Sequence, residues 1–250
     1  MHGVLVVPQL HRVFATATGS NPLVALDEAT GRELWRAPTG DYPDGIAYVP
    51  STGQVWVSNE TGGTETAVDA TNGHVAGTVE LGGEAGNVAF DDGAAKASAT
   101  VLVDVQSSNE LVAIDPVTRA IRHRTRLGGC DHDHGLVELA PRRLAFIACD
   151  GNNKLLVLNL ASGRITERFS LGRDPDILSL DPANATLLVA AESGTATVFR
   201  LDPSGLKLRG RALLADGVHV VAVHLTAALA DWPLADAHHH PQLLITRTRP

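Results

Sequence analysis

The chain has 250 residues, 44% of them hydrophobic, enough to bury a sizeable core. Its formal net charge of −8 at pH 7 offers no basic face to neutralise phosphates, which excludes a nucleic-acid partner. No apolar run approaches the roughly 18 residues of a membrane span, and Val4 to Val7 is too short, with no basic flank, for a signal peptide, so the chain as written reads as cytoplasmic.

In chain order, the first apolar run is Val4 to Val7, followed by Val13 to Thr16. Next comes Val24-Ala25-Leu26-Asp27, a turn at Ala29-Thr30-Gly31, and a more polar strand from Arg32 to Pro38. The same succession returns four more times. First strands open at Gly45, Asn87, Gly135 and Ile177, and second strands run over 54–58, 100–105, 144–148 and 187–191. Third strands end on Asp69, Asp115, Asn159 and Asp202, so the five motif residues stand 42, 46, 44 and 43 apart. Polar fourth strands follow over 74–80, 120–126, 164–170 and 207–213. A sixth first strand, Val220 to Val223, leads into a stretch from Ala227 to His240 without strand rhythm, and only Gln242 to Thr246 returns as a strand. A period of roughly 40–45 residues built from short strands and turns predicts an all-β fold, a β-propeller of four-stranded antiparallel blades. One domain of six blades is expected, over about 2–40, 43–82, 85–128, 132–172, 174–215 and 217–250, with the last incomplete.

The run Val55-Trp56-Val57-Ser58-Asn59, then Ala67 to Gly73, then Val79-Glu80-Leu81-Gly82, resembles the YVTN β-propeller repeat of surface-layer-like and YncE-like bacterial proteins. The resemblance extends from residue 2 to about 215. It implies the fold and, because that family is functionally mixed, no catalytic residue. The incomplete sixth blade fits a seven-bladed protein whose start lies upstream. In that case a secretion signal precedes the present start, and the location is periplasmic or extracellular.

One residue ahead of the first-strand apolar runs stand His2, Asp44, Gly86 (with Asn87 next), His134, Asp176 and His219. Repeat geometry predicts that His2, Asp44, His134, Asp176 and His219 share one axial space. Imidazole and carboxylate are the ligand types of open zinc-like sites, so a divalent ion in a central channel is one reading and a solvated channel the other. The set resembles, in position type only, the axial metal site of propeller lyases such as peptidyl-amidoglycolate lyase. The ends of the second strands add Glu60, Gln106, Asp150 and Glu192, an acidic rim expected at the same face because adjacent strands run antiparallel. His132 joins them within Cys130-Asp131-His132-Asp133-His134. Cys130 and Cys149 are candidates for a disulfide if Gly128-Gly129 folds the loop back; two separate thiols and a Cys–His nucleophile pair are the other readings. His238-His239-His240 reads as an exposed loop.

These observations favour a non-enzymatic binding or scaffold protein that uses the channel face for a protein or small-molecule partner. The alternatives are a metal-dependent lyase or hydrolase working at the axial His/Asp set, and a structural component of the cell envelope or surface layer. No cofactor other than that ion is suggested.

Overall fold

The computed structural model describes residues 2–93, 98–224, 226–237 and 239–248. The chain divides into two compact units, Met1–Leu127 and Gly128–Pro250. The first unit holds three antiparallel meanders. These are β1 (Val4–Val7), β2 (Arg12–Thr16), β3 (Pro22–Asp27) and β4 (Glu33–Pro38); β5 (Pro43–Val49), β6 (Gln54–Asn59), β7 (Thr64–Asp69) and β8 (Val75–Glu80); and β9 (Ala85–Asp91), β10 (Thr100–Val105), β11 (Glu110–Ile114) and β12 (Ile121–Arg126).

The second unit repeats the plan. Its meanders are β13 (Asp133–Leu139), β14 (Leu144–Cys149), β15 (Lys154–Asn159) and β16 (Arg164–Ser170); β17 (Pro175–Asp181), β18 (Thr186–Ala191), β19 (Thr195–Asp202) and β20 (Gly205–Leu213); and a last sheet of three strands, β21 (Ala222–His224), β22 (Leu229–Ala237) and β23 (His240–Arg247). The described residues contain no α-helix. The fold is an all-β propeller with six blades among the described residues, the last of three strands.

The recurring acidic residue earns its place at the turn between the third and fourth strands. Asp27 Oδ1 accepts from the Thr30 amide and hydroxyl at 2.9 and 2.6 Å. Asp69 accepts from the amides of Thr71 and Asn72, Asp115 from those of Val117 and Thr118, and Asn159 from Ser162. Four residues past the motif the chain turns left-handed at Gly31, Gly73, Arg119 and Gly163, and each of those amides donates to the motif residue's own carbonyl. The bonds their carboxylates accept hold Asp27, Asp69 and Asp115 below the usual carboxylate range; the Thr30 and Thr71 hydroxyls lead for the first two and the Thr118 amide for the third. Asp202 departs from the pattern. Its turn is a tight one, with Asp202 paired to Gly205, and its carboxylate takes Arg200 Nε at 3.0 Å.

The stretch from Ala227 to His240 needs a correction, because most of it is the regular strand β22. Ala230, Trp232 and Leu234 are buried at every second position, an alternation that Pro233 obscures in the sequence. Proline is tolerated there because β21 pairs only with residues 229–231 and has ended before Pro233, so no neighbour on that side awaits an N–H. His238 lies outside the described residues, and His239 and His240 are exposed.

Neither face of a single meander is polar enough for water, and the cores lie between successive blades. In the first unit Phe14, Leu23, Val55 and Val57 pack together, and Trp56, Val79, Val103 and Ile114 form the next layer. In the second unit Phe146, Leu155, Leu187 and Phe199 make one layer, and Leu188, Val218, Trp232 and Leu234 the other.

One residue violates this pattern. Leu23, Leu111 and Leu155 stand four residues before their turn motifs and are buried; the same offset in the second blade is Glu65, fully buried. Ser58 Oγ donates to Glu65 Oε2 at 2.9 Å, while Oε1 has no partner. Burial pushes this carboxyl well above its ordinary value, outweighing the Ser58 bond. Above about pH 4.5 the unfolded chain releases this proton and the folded chain keeps it, so stability falls with rising pH until the folded pKa is passed. The Ser58→Ala/Glu65→Leu variant is expected to gain about 1–3 kcal/mol at pH 8 and clearly less at pH 4.5. Urea midpoints at the two pH values check this; an equal gain at both would show that Glu65 ionises while folded.

Candidate functional site

The blade ends where second strands finish are built by two local devices. The first is a left-handed residue just ahead of the first strand, namely Tyr42, His132 and Asp174, with φ of 58°, 60° and 54°. Their carbonyls accept from the amides of Glu60, Asp150 and Glu192 at 2.9, 3.0 and 2.8 Å, which ties each second-strand end beside its first strand. The second device is a one-residue bulge inside the first strand. In β5 the pairing passes from Pro43↔Asn59 to Ile46↔Val57, in β13 from Asp133↔Cys149 to Gly135↔Ala148, and in β17 from Pro175↔Ala191 to Leu178↔Val189. Asp44, His134 and Asp176 therefore lie within their strands, in the bulged segment, and not one residue ahead of them as the sequence suggests.

In the second unit this geometry gathers four of the expected residues. His134 Nε2 lies 3.1 Å from Asp176 Oδ1. Donor atoms of Asp176, Glu192 and His219 all fall within 4.8 Å of one another, a set whose ligand types could hold a divalent ion. His219 Nδ1 faces the Gly217 carbonyl at 2.9 Å, which leaves Nε2 as its outward atom, and its own carbonyl accepts from Ile177 at 3.2 Å. His132 Nδ1 meets Asp150 Oδ1 at 2.7 Å.

Cys130 and Cys149 form a disulfide with Cα atoms 5.4 Å apart. The loop folds back as Gly128-Gly129 allows, with Gly129 at a φ of 91°. Closing a loop of 19 residues restricts the unfolded chain by roughly 3 kcal/mol, and the bridge lies next in the chain to Asp150 and two residues from its partner His132.

In the first unit His2 Nδ1 stands 3.9 Å from Asp44 Oδ1, and the His2 ring meets Tyr42 edge-on at 5.3 Å. Burial raises the Tyr42 phenol, with Glu60 and Asp44 adding to it. Within the first unit His2 thus stands with Asp44, and within the second His134 stands with Asp176, close to His219.

One expected rim residue does other work. Gln106 is 2% exposed, and its Nε2 donates to the Ala85 carbonyl at 2.7 Å, so it ties strands together and cannot face a ligand. Asn87 is half-buried, and its Nδ2 has no partner.

Gly3 and Gly135, passed over in the sequence, make both His–Asp approaches possible. A Cβ on Gly3 would collide with the Asp44 carbonyl oxygen, and one on Gly135 with that of Asp176. His2-Gly3 and Pro43-Asp44 therefore repeat as His134-Gly135 and Pro175-Asp176, with His and Asp 42 residues apart both times. That duplicate dipeptide pair, at one spacing, was the signal available.

With the fold and this site in view, the class is a β-propeller repeat protein. The profile of the family described as outer membrane protein assembly factor BamB matches residues 2–205, and the chain belongs to that family. The assignment differs from the YVTN-type resemblance of the repeats. A sequence search among curated proteins found no match. Among solved structures, the chain is similar to one in the crystal structure of the mitotic checkpoint complex, with 12% identity, a TM-score of 0.81, and 99% of this chain and 74% of that one covered. It is also similar to hydrazine synthase of Kuenenia stuttgartiensis, with 12% identity, a TM-score of 0.71, and 98% and 94% covered. A functionally unknown protein from Desulfotomaculum acetoxidans matches with 15% identity, a TM-score of 0.79, and 98% and 81% covered. At these identities the likeness concerns the fold alone.

The Gly135→Ala variant is expected to force β13 and β17 apart, since the Leu178 side chain as well as the Asp176 carbonyl occupies the space. A loss of about 2–3 kcal/mol in urea unfolding is expected, against less than about 0.5 kcal/mol for Gly128→Ala, whose Cβ position is open. Equal effects would contradict the close approach.

Proposed function

We propose that the chain is a non-enzymatic binding propeller that recognises a protein partner through the blade ends of its second unit. The observation that carries this reading is the mutual pairing of the site's ionisable groups, His134 with Asp176 and His132 with Asp150, beside exposed Glu192. Side chains held by one another form a rigid, partly accessible polar surface, which suits recognition. Asp131, Asp174 and Asp216 are exposed in the same turns, so the surface favours a partner with cationic or hydrogen-bond-donating groups. Membership of a family described as an assembly factor supports a protein partner. No helix among the described residues is long and apolar enough to cross a membrane.

The Cys130–Cys149 disulfide supports an oxidising compartment, periplasmic or extracellular, over the cytoplasm. A second reading, a divalent ion held by Asp176, Glu192 and His219, is favoured by the closeness of their donor atoms. In that reading the ion would organise the surface for its partner.

A photo-reactive phenylalanine analogue placed at Asp216 is expected to trap a discrete protein adduct in cells, and the same group at exposed Val117 in the first unit none. Adducts at neither position, or equally at both, would overturn the recognition surface. Zinc titration of the purified protein decides the second reading: one equivalent bound and lost in His219→Ala supports it, and no uptake removes it.

A further inference from the structure

Among the described residues the sixth blade has three strands, and the consequences converge on one place. Third strands of the complete blades are covered by a fourth: β15 pairs along its length with β16, and β19 with β20. β23 pairs with β22 alone, so the backbone groups along its other edge have no strand partner among the described residues. Its residues are correspondingly open, with Leu243 58% and Ile245 54% exposed. An uncharged run from Gln242 to Thr246 on an open edge is a template for pairing.

Beside that edge lies a cleft of about 240 Å³ between the fifth and sixth blades. Its apolar lining includes Leu188, Val198, Phe199, Leu214 and Trp232. In the preceding pair of blades the corresponding space is filled by the next blade's fourth strand. There Leu206 of β20 packs in the core with Phe169 of β16 alongside, and its amide donates to the Glu167 carboxylate. The cleft's hydroxyls are already engaged: Thr246 accepts from Trp232 Nε1, Thr248 donates to Asp181, and Thr186 donates to the Asn184 carbonyl. Two of its cations are not. Arg200 pairs with Asp202, whereas Arg209 and Arg247 are exposed and have no acidic partner among the described residues.

We propose that β23 and this cleft form a docking site for an extended acidic segment of another protein, added as a fourth strand beside β23. Edge pairing would supply main-chain hydrogen bonds, and alternate side chains would enter the cleft. A cleft of 240 Å³ has the volume of about eight waters, room for a few side chains rather than a folded element. A carboxylate on the incoming strand would meet Arg209 and Arg247. A second copy of this chain is a poor occupant, because β20 and β23 carry Lys207, Arg209, Arg211 and Arg247 and no acid. The site makes no use of the blade-end groups, and its test is separate from theirs.

Selection of random peptides displayed on phage against the immobilised full chain supplies the probes. The expected winners alternate apolar residues and carry Asp or Glu. A synthetic winner should slow hydrogen exchange at every second amide between Gln242 and Thr246 by tenfold or more, and bind at least tenfold more weakly to Arg209→Ala/Arg247→Ala. No enrichment, or winners that protect no β23 amide or ignore the double variant, would overturn the proposal. So would alternate β23 protection that appears without peptide and tracks dimer formation in ultracentrifugation, which would make a second copy the occupant. Displacement of the peptide by dodecanoate that itself protects no β23 amide would reassign the cleft to small amphipathic anions.

Discussion

Each sheet of this protein has two faces that must leave water, and a single meander can bury neither alone. The blades therefore depend on how closely the next blade can approach, and at the critical points that distance is set by the absence of a side chain. Gly135 admits the backbone of β17, and Gly3 that of β5. Where backbones come this close, the residues flanking the glycines are forced together. His134 then finds Asp176, and His2 lies near Asp44. The polar site at the blade ends is thus a by-product of the packing that creates the cores, held by main-chain geometry rather than by long, costly side-chain ordering.

The same dependence explains where the structure is open. A fourth strand covers the outer part of its neighbour, as Leu206 does beside Phe169. Among the described residues the sixth blade has three strands, and the open edge of β23 lies beside a cleft against the fifth.

Much of the fold was legible because the repeat writes its own chemistry. Asp27, Asp69, Asp115 and Asn159 cap turns that need a short acceptor, and the left-handed position four residues on is glycine in three of those four turns. β22 was missed because Pro233 masks an alternation that only the shortness of β21 makes tolerable, a fact of pairing invisible in one dimension. Glu65 was unreadable for a similar reason, since in a strand of alternating polarity its carboxyl gives no hint that it occupies a leucine's place. At the site, the shared offset is what singles out residues of ligand type in the sequence. Their position inside bulged strands, and the loss of Gln106 to an internal hydrogen bond with Ala85, depended on register that the sequence does not display.

The central claim is that glycine-mediated approach makes His134 and Asp176, residues of neighbouring blades, act as one unit. A double-mutant cycle on unfolding free energy, with His134→Ala, Asp176→Ala and the pair together, tests it most directly. A coupling of about 0.5 kcal/mol or more is predicted, as for side chains in contact. Strict additivity would mean that the two groups stand side by side without interacting, and the account of the site would fail.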